Sequence, residues 1–309
     1  MSDELTTLQP TALYRPDTDP ALVYLASLTS DKSRRVMAHS LKTITETIDR
    51  DFRWELLRYP QTRALQTALA QKYSPASVNR IMAALRGVLK ECRRLGLMSH
   101  EDYAAATDFK PVKDERLPAG RDLSYREIKA LIEVCRSDPK KAKGARDAAM
   151  IAILYTCGLR RSELARLALE DLDAESGRLI VHGKGRKERR VYVKNRARYL
   201  LDQWLSWRGD EPGSLFLPHT KSGRVLHRSG ITDQTVFDML KARGKEAGID
   251  DLSPHDFRRT LVGDLLDKGV DLATVAEIVG HADVNTTRRY DRRGERAKES
   301  AQALIDVPM

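Results

Sequence analysis

Residues 178–193 read Arg-Leu-Ile-Val-His-Gly-Lys-Gly-Arg-Lys-Glu-Arg-Arg-Val-Tyr-Val, and this stretch decides the fold class. Two runs rich in β-branched residues flank a glycine-containing turn, which predicts a hairpin with strands at 178–182 and 188–193. On both sides of the hairpin, apolar residues recur at helical spacing. The sequence therefore predicts a mainly α protein with a small antiparallel β-sheet.

Length and charge limit the class of protein further. The chain has 309 residues, a formal net charge of +10 and a pI near 9.5. This length suits two domains, and the charge favours a polyanionic partner, although a basic surface without a partner has the same composition. Residues 178–198 contain nine Lys or Arg and one acid, Glu188. Aromatic residues make up only 6%, which does not favour binding of single strands on stacked rings.

Cysteine usage and hydropathy indicate a cytoplasmic protein. Cys92, Cys135 and Cys157 lie far apart and form no CxxC pair, which argues for reduced thiols. The acidic start at residues 1–4 is not followed by the apolar segment of a signal peptide. The longest apolar run, 148–159, is too short to cross a bilayer and predicts a buried core helix. We expect no association with a membrane.

Composition shifts divide the chain into four segments. Residues 1–19 are polar and contain two prolines, so we expect a flexible lead-in. Residues 20–107 show helical periodicity throughout, and residues 108–122, with two prolines and many charges, form the predicted linker. Residues 123–309 form a second domain. Its predicted helices before the hairpin cover about 124–136, 144–158 and 161–168.

One helix of the first domain has a basic face. Ser74 and Pro75 predict its start, and Gly96 predicts its end. A solvated surface explains this face as well as a DNA-binding one, and the other basic segments of the chain favour DNA. The residues on it that we expect to contact DNA are Arg80, Arg86 and Lys90.

Five short stretches after the linker carry residues suited to an attack on a phosphodiester. The residues are Arg160, Lys184, His255, Arg258, His281 and Tyr290. The transition state of such an attack gathers negative charge on the non-bridging oxygens, and fixed arginines stabilise it because their planar forks pair with phosphate. A phenol forms a covalent intermediate when neighbouring cations favour its oxyanion. A lysine at a hairpin tip is placed to protonate the leaving oxygen.

Each of these residues also has an ordinary explanation. Arg160 taken alone is best explained as a surface arginine, and Tyr290 is one of 10 tyrosines. His255 follows Ser-Pro and would suit a helix start, and His281 would suit a structural hydrogen bond. Metal binding is disfavoured, because none of the seven histidines lies at zinc-motif spacing from another and no carboxylate cluster suits magnesium.

In their order and spacing, these motifs resemble the tyrosine recombinases of the phage integrase family, in particular its Xer-like members and mobile-element integrases. The matching motifs are Arg160 in Gly-Leu-Arg-x-Ser-Glu-Leu, Lys184 in a Gly-Lys-Gly hairpin, His255-x-x-Arg258, Gly280-His281, and Tyr290 nine positions after His281. The resemblance implies a catalytic domain over 123–309 and, more loosely, a SAM-like helical core-binding domain over 20–107. Cys157 departs from the pattern, which more often has threonine there.

The resemblance implies a site-specific recombinase that cleaves and rejoins duplex DNA through a 3′-phosphotyrosyl intermediate and a Holliday junction, in integration, excision or dimer resolution. Tyr290 would be the nucleophile, and Lys184 the general acid. Arg160 and Arg258 would clamp the phosphate. His255 would handle the proton of the nucleophile, and His281 would brace the phosphate. No metal or nucleotide cofactor would be needed, because the phosphotyrosine keeps the bond energy for religation.

The resemblance also implies partners. Such enzymes bind double-stranded DNA and act as homotetramers on synapsed sites, and a tail helix around 297–305 would dock on a neighbouring subunit. A second recombinase or an accessory protein stays open as a further partner. Additional DNA contacts are expected at Arg186, Lys187, Arg288 and Arg289.

Two other functions share parts of this pattern. Type IB topoisomerases use the same catalytic residues to relax supercoils without sequence choice, but the Xer-like first domain and the tail disfavour this function. A non-catalytic DNA-binding protein is disfavoured because all six catalytic residues of the pattern are present.

Overall fold

The structure, a computed structural model, describes residues 18–48, 52–113, 120–183, 187–227, 229–291, 294 and 302. The chain divides into two compact units, Met1–Arg116 and Leu117–Met309. The described residues are mostly helical, and their only sheet has two antiparallel strands. The predicted class, mainly α with a small antiparallel sheet, is confirmed. None of the helices within these ranges is long and apolar enough to cross a membrane.

The first unit is a helical bundle around one central helix. Its helices are α1 Pro20–Ala26, α2 Asp31–Thr47, α3 Tyr59–Lys72, α4 Pro75–Arg94 and α5 His100–Ala106, with a short 3-10 turn at Trp54–Leu56. The side chains of Asp19, Ser30 and Ser74 cap the starts of α1, α2 and α4, and proline follows the cap in α1 and α4. The apolar face of α4 is fully buried against the other helices.

The basic face of α4 is only partly open. Arg80 and Lys90 are exposed, whereas Arg86 is half-buried. The guanidinium of Arg86 lies 4.5 Å from the centre of the Phe109 ring and donates to the Phe109 carbonyl at 3.3 Å. Arg86 therefore holds the segment after α5 in place, and the DNA contacts of all three basic residues stay predictions.

Residues at both ends of the predicted linker, 108–122, make contacts in the described part of the chain. Phe109 is only 6% exposed in the core of the first unit, and the Val112 backbone exchanges two hydrogen bonds with the Asn79 side chain. At the other end, the Arg121 amide donates to a carboxylate of the second unit at 2.8 Å. The amino-acid composition of 108–122 does not predict these contacts, because most of them are made by backbone groups.

The second unit contains the sheet and the remaining helices. They are α6 Tyr125–Ser137, α7 Lys141–Cys157, α8 Arg161–Leu164, β1 Arg178–His182, β2 Glu188–Tyr192, α9 Asn195–Arg208, α10 Asp233–Glu246, α11 Pro254–Asp267, α12 Leu272–Val279 and α13 Val284–Arg288. The predicted core helix is α7, whose apolar run packs against α6, α9 and α11. At the start of α6, Ser124 and Glu127 form a capping box.

The hairpin is confirmed, with a return strand one residue shorter than predicted. Arg178 pairs with Tyr192 and His182 with Glu188, and Leu179, Val181 and Val191 alternate into the core. Its tip at 184–186 lies outside the described residues, as does the predicted tail helix apart from Gln302.

The helix predicted at 161–168 was too long. It ends at Leu164, because the next residues join an extended pairing instead. The Leu167 carbonyl accepts from the Leu215 amide at 2.7 Å, and Ala168 forms a bridge with Ser214. This pairing partner lies far along the chain, so helical periodicity could not reveal it.

Candidate active site

Arg160 lies between a glycine turn and a short helix. Gly158 ends α7 in the left-handed region, with φ of 59°, and a Cβ there would meet side chains of α11 and α12. The Arg160 guanidinium donates to Glu163 Oε1 at 2.7 Å and to the Gly280 carbonyl at 3.1 Å. The side chain remains 43% exposed. Its guanidinium is thus held from one side and accessible from the other.

Arg258 is the buried partner of this arginine. Its side chain reaches from α11 to the Gly158 carbonyl, to which Nη1 donates at 2.7 Å. Arg258 is only 7% exposed, and its Nη2 is buried without a hydrogen-bond partner in the described part of the chain. Burial, followed by the charges of Arg160 and Arg189, lowers the pKa of Arg258 to about 9. A buried cation with an unused donor is the arrangement that a bound anion would complete.

Two further residues join the arginines, and neither was among the site residues predicted from the sequence. Glu163 is buried and accepts hydrogen bonds from the Arg160 amide at 2.9 Å and from Arg189 Nη2 at 2.8 Å. Burial raises the pKa of the Glu163 carboxyl, but the hydrogen bonds from Arg189 and Arg160 outweigh burial and hold this pKa below its usual value. Glu163 lies inside the quoted Arg160 motif, and Arg189 is a charge at a core-facing strand position.

His255 lies in the first turn of α11, three residues before Arg258. Loss of hydration, followed by the charge of Arg258, lowers the pKa of His255. The imidazole is therefore neutral near pH 7, as a group that accepts a proton must be.

His281 and Tyr290 lie together after α12. Gly280 ends this helix with φ of 69°, and His281 Nδ1 lies 2.8 Å from Thr287 Oγ1. The His281 ring stacks on that of Tyr290, with centroids 6.2 Å apart and 16° between their planes. Burial, followed by the charge of Arg258, lowers the pKa of His281 to about 4. His281 is therefore neutral near pH 7.

The structure brings five of the six predicted catalytic residues together in the second unit. They are Arg160, His255, Arg258, His281 and Tyr290. Lys184 and Arg186 lie outside the described residues. Lys187, Arg288 and Arg289 are exposed in the second unit. Across the described ranges, no group of three or more His, Cys, Asp or Glu could hold a metal ion. The assembled groups can hold a phosphate between two guanidiniums and present a phenol to it.

Comparison with known proteins decides the family. The sequence pattern of the Phage integrase family matches residues 121–296, more than half of the chain. The chain belongs to this family of tyrosine recombinases. The recombinase is 33% identical over 281 residues to Tyrosine recombinase XerC of Pseudomonas fluorescens. The matched residues make up 86% of this chain and 89% of that protein. The recombinase is also 34% identical over 221 residues to Tyrosine recombinase XerD of Listeria innocua serovar 6a, with 70% and 71% covered.

Solved structures share the fold of this recombinase at low sequence identity. The Tn1549 transposon integrase in complex with transposon right end DNA has a TM-score of 0.69 and 16% identity, with 92% of this chain and 99% of that chain covered. The XerH site-specific recombinase bound to a palindromic difH substrate has a TM-score of 0.65 and 20% identity, with 97% and 92% covered.

Proposed function

We propose that this site-specific recombinase cleaves and rejoins duplex DNA through a 3′-phosphotyrosyl intermediate on Tyr290. The observation that carries the proposal is the buried Arg258, whose unused Nη2 donor belongs to the same cluster as Arg160 and the stacked pair of His281 and Tyr290. In a protein interior such a donor is costly unless a ligand satisfies it. A scissile phosphate supplies the missing acceptor.

The cleavage step then uses each group once. The Tyr290 oxygen forms a bond to the scissile phosphorus, and the bond from phosphorus to the 5′ oxygen breaks. His255, neutral near pH 7, accepts the phenolic proton, and Lys184 donates a proton to the departing 5′ oxygen. Arg160 and Arg258 stabilise the charge on the non-bridging oxygens, where the loss of one such donor costs about 10²–10³ in rate.

Rejoining reverses the same step. The 5′-hydroxyl of a partner strand attacks the phosphotyrosine, and the phenol leaves. Because the covalent link keeps the energy of the broken phosphodiester, we propose that neither a nucleotide nor a metal takes part. In its neutral form, His281 donates a hydrogen bond from Nε2 to the phosphate, in the tautomer whose Nδ1 accepts from the Thr287 hydroxyl.

We further propose that this chain binds double-stranded DNA and exchanges strands through a Holliday junction as a homotetramer on synapsed sites. The net charge of +10 supports a DNA partner. The XerH and Tn1549 relatives were solved bound to DNA. Three buried, unpaired cysteines suit the reducing cytoplasm, where we place the protein. The DNA contacts proposed outside the catalytic residues are Arg80, Arg86, Lys90, Arg186, Lys187, Arg288 and Arg289.

Relaxation of DNA in the manner of a type IB topoisomerase is less well supported. The curated relatives quoted above are recombinases, and one of them matches over 89% of its own length. Relaxation of a plasmid that lacks any recombination site would favour the topoisomerase function instead.

A trapping experiment tests the proposal. Duplexes bound by the protein are first selected from a random pool, and a nick is then placed beside the cleavage site so that the short released fragment diffuses away. Wild type and the control Tyr125→Phe, a change at a 70% exposed tyrosine, should both accumulate a covalent adduct. Tyr290→Phe should bind the duplex and form no adduct. Equal adduct yields from all three proteins would refute the assignment of Tyr290.

A further inference from the structure

We propose that Arg189 is a positioning residue for cleavage, which fixes the phosphate clamp, the His281 segment and the β-hairpin in one geometry. The inference rests on the proposed function and deepens it. Arg189 was not among the predicted site residues, and we expect it to act through its neighbours without touching the DNA.

The position of Arg189 in the sheet is the first observation. In the hairpin register Arg189 pairs with Val181, and it shares the core-facing side of β2 with Val191. Both valines are buried, with exposures of 0% and 3%. The Arg189 side chain is itself only 12% exposed. A strand in this environment normally carries an apolar residue there, because a charge loses its hydration unless it is paired.

The partners of Arg189 form a closed ring. Its Nη2 donates to Glu163 Oε2 at 2.8 Å, and Glu163 Oε1 accepts from Arg160 at 2.7 Å. Its Nε donates to the Ile278 carbonyl at 2.8 Å, one of the last carbonyls of α12. Arg160 closes the ring by donating to the Gly280 carbonyl at 3.1 Å. The clamp arginine and the end of α12 are therefore tied to β2 through one guanidinium.

Gly280 makes room for this side chain. A Cβ on Gly280 would lie 3.1 Å from both Cδ and Nη1 of Arg189. The residue that follows Gly280 is His281, and the residue five places before Arg189 is the proposed acid, Lys184. Movement of Arg189 would therefore disturb the His281 segment and β2, the strand that follows Lys184 in the chain.

The shape of the guanidinium matters as much as its charge. Nε and Nη2 lie on one edge of a rigid plane, so Arg189 can bond a carboxylate and a carbonyl together with fixed directions. A lysine at this position would keep the charge but would offer one rotating ammonium group. The charge itself acts on the site as well, since Arg189 contributes, after burial, Arg258 and Arg160, to the low pKa of His281.

Three variants separate shape from charge. Arg189→Lys keeps the charge and removes the fork, Arg189→Gln removes both, and Arg190→Gln is the matched control. Arg190 is exposed on the opposite side of the same strand, so its loss removes an equal charge without touching Glu163. Each protein is assayed on the selected, nicked duplex for its dissociation constant and, at saturating protein, for its rate of adduct formation. The pKa of His281 is measured by NMR in the protein without DNA.

We expect both Arg189 variants to bind within about threefold of wild type and to cleave about 10²-fold more slowly, the loss typical of a misplacement near 1 Å. Arg190→Gln should cleave at the wild-type rate. Arg189→Gln should raise the pKa of His281, and Arg189→Lys should leave it low. If Arg189→Gln does not fold, Arg189→Lys carries the test.

The outcomes are distinct. Wild-type cleavage by Arg189→Lys, or by both variants, would overturn the inference and leave the proposed function intact. Equal losses of binding and cleavage, or unfolding of both variants, would assign Arg189 a purely structural role and overturn it too. Absence of an adduct with wild type would instead overturn the proposed function.

Discussion

Replacing Arg258 with methionine should stabilise the second unit and slow DNA cleavage by about 10²–10³-fold. Arg258 is 7% exposed, donates one hydrogen bond to the Gly158 carbonyl and leaves Nη2 buried without a partner in the described ranges. Methionine preserves most of the packing of the arginine stem and removes the charge. A comparison of Arg258→Met with wild type therefore measures the free-energy cost of the buried charge while the packing of the side chain stays nearly the same.

The expected change in the free energy of unfolding follows from the pKa of Arg258. Burial and then the charges of Arg160 and Arg189 hold the pKa at about 9 instead of 12.5. At about 1.4 kcal/mol for each tenfold change in proton affinity, the charged form costs the folded state roughly 5 kcal/mol. Methionine leaves the Gly158 carbonyl without its donor, which costs about 1–3 kcal/mol. The expected net gain in the free energy of unfolding is about 2–4 kcal/mol.

The free-energy penalty of the charged Arg258 depends on pH. Since the pKa of Arg258 is lower in the folded state, the penalty is complete at every pH below about 9. It declines only as the pH rises from there towards 12.5. The stabilisation by methionine should therefore be nearly constant between pH 7 and 8, above the range in which His255 and His281 titrate, and it corresponds to a rise in Tm of about 5–15 °C for a unit of this size.

Thermal unfolding at low ionic strength, in a buffer without phosphate or sulfate, is the assay. The control is Arg259→Met on the same helix, because Arg259 is 17% exposed, pairs with Asp122 and donates to the Gly120 carbonyl at 2.8 Å. This control should lower Tm, whereas Arg258→Met should raise it. Sulfate should stabilise wild type more than Arg258→Met. A loss of about 3–5 kcal/mol in Arg258→Met, as expected when a well-paired buried charge is removed, would refute the reasoning.

Two further predictions concern the end of α12. Gly280→Ala should lower Tm and slow cleavage at least about tenfold, because it combines the cost of a left-handed alanine, about 1–2 kcal/mol, with a contact on Arg189. Gly269 has φ of 84° and open space around its Cβ. Gly269→Ala should therefore lose only the free energy of unfolding due to backbone strain, and it should cleave at the wild-type rate. Equal cleavage rates of the two variants would contradict the role of the contact with Arg189. His281, with a pKa of about 4, should show no change in its NMR ring signals between pH 8 and 5.5, whereas His182, whose hydrogen bond with Asp171 raises its pKa, should titrate above 6.5. Because the folded pKa of His281 is the lower one, stability should be lost as the pH falls from 6.5 towards 4, and a His281 signal that titrates near 6.5 would contradict the description of its surroundings.

Local signals in the sequence predicted much of the fold. The hairpin followed from two β-branched runs around a glycine turn, and the start of α4 followed from Ser74 and Pro75. Each of these features depends on residues that are neighbours in the chain, so their chemistry can be interpreted without knowledge of the tertiary structure.

Features that depend on distant partners were missed. The ion pair between Glu163 and Arg189 joins residues 26 positions apart, and no periodicity marks it. The early end of α8 is set by pairing with Ser214, and the contacts of Val112 and Arg121 depend on bonds from their backbone amides to side chains of other helices. One signal was available for Arg189, since a charge at a core-facing position of a strand requires a partner.

The chemical identity of the covalent link tests the role of Tyr290 as the nucleophile most directly. The adduct trapped on the nicked duplex is digested with protease and nuclease, and mass spectrometry locates the residue that carries the nucleotide. We expect a phosphodiester from Tyr290 to a 3′ end, and a released strand whose 5′-hydroxyl is labelled by polynucleotide kinase without prior phosphatase treatment. A nucleotide on any other residue, or a released strand that already carries a 5′-phosphate, would contradict this mechanism.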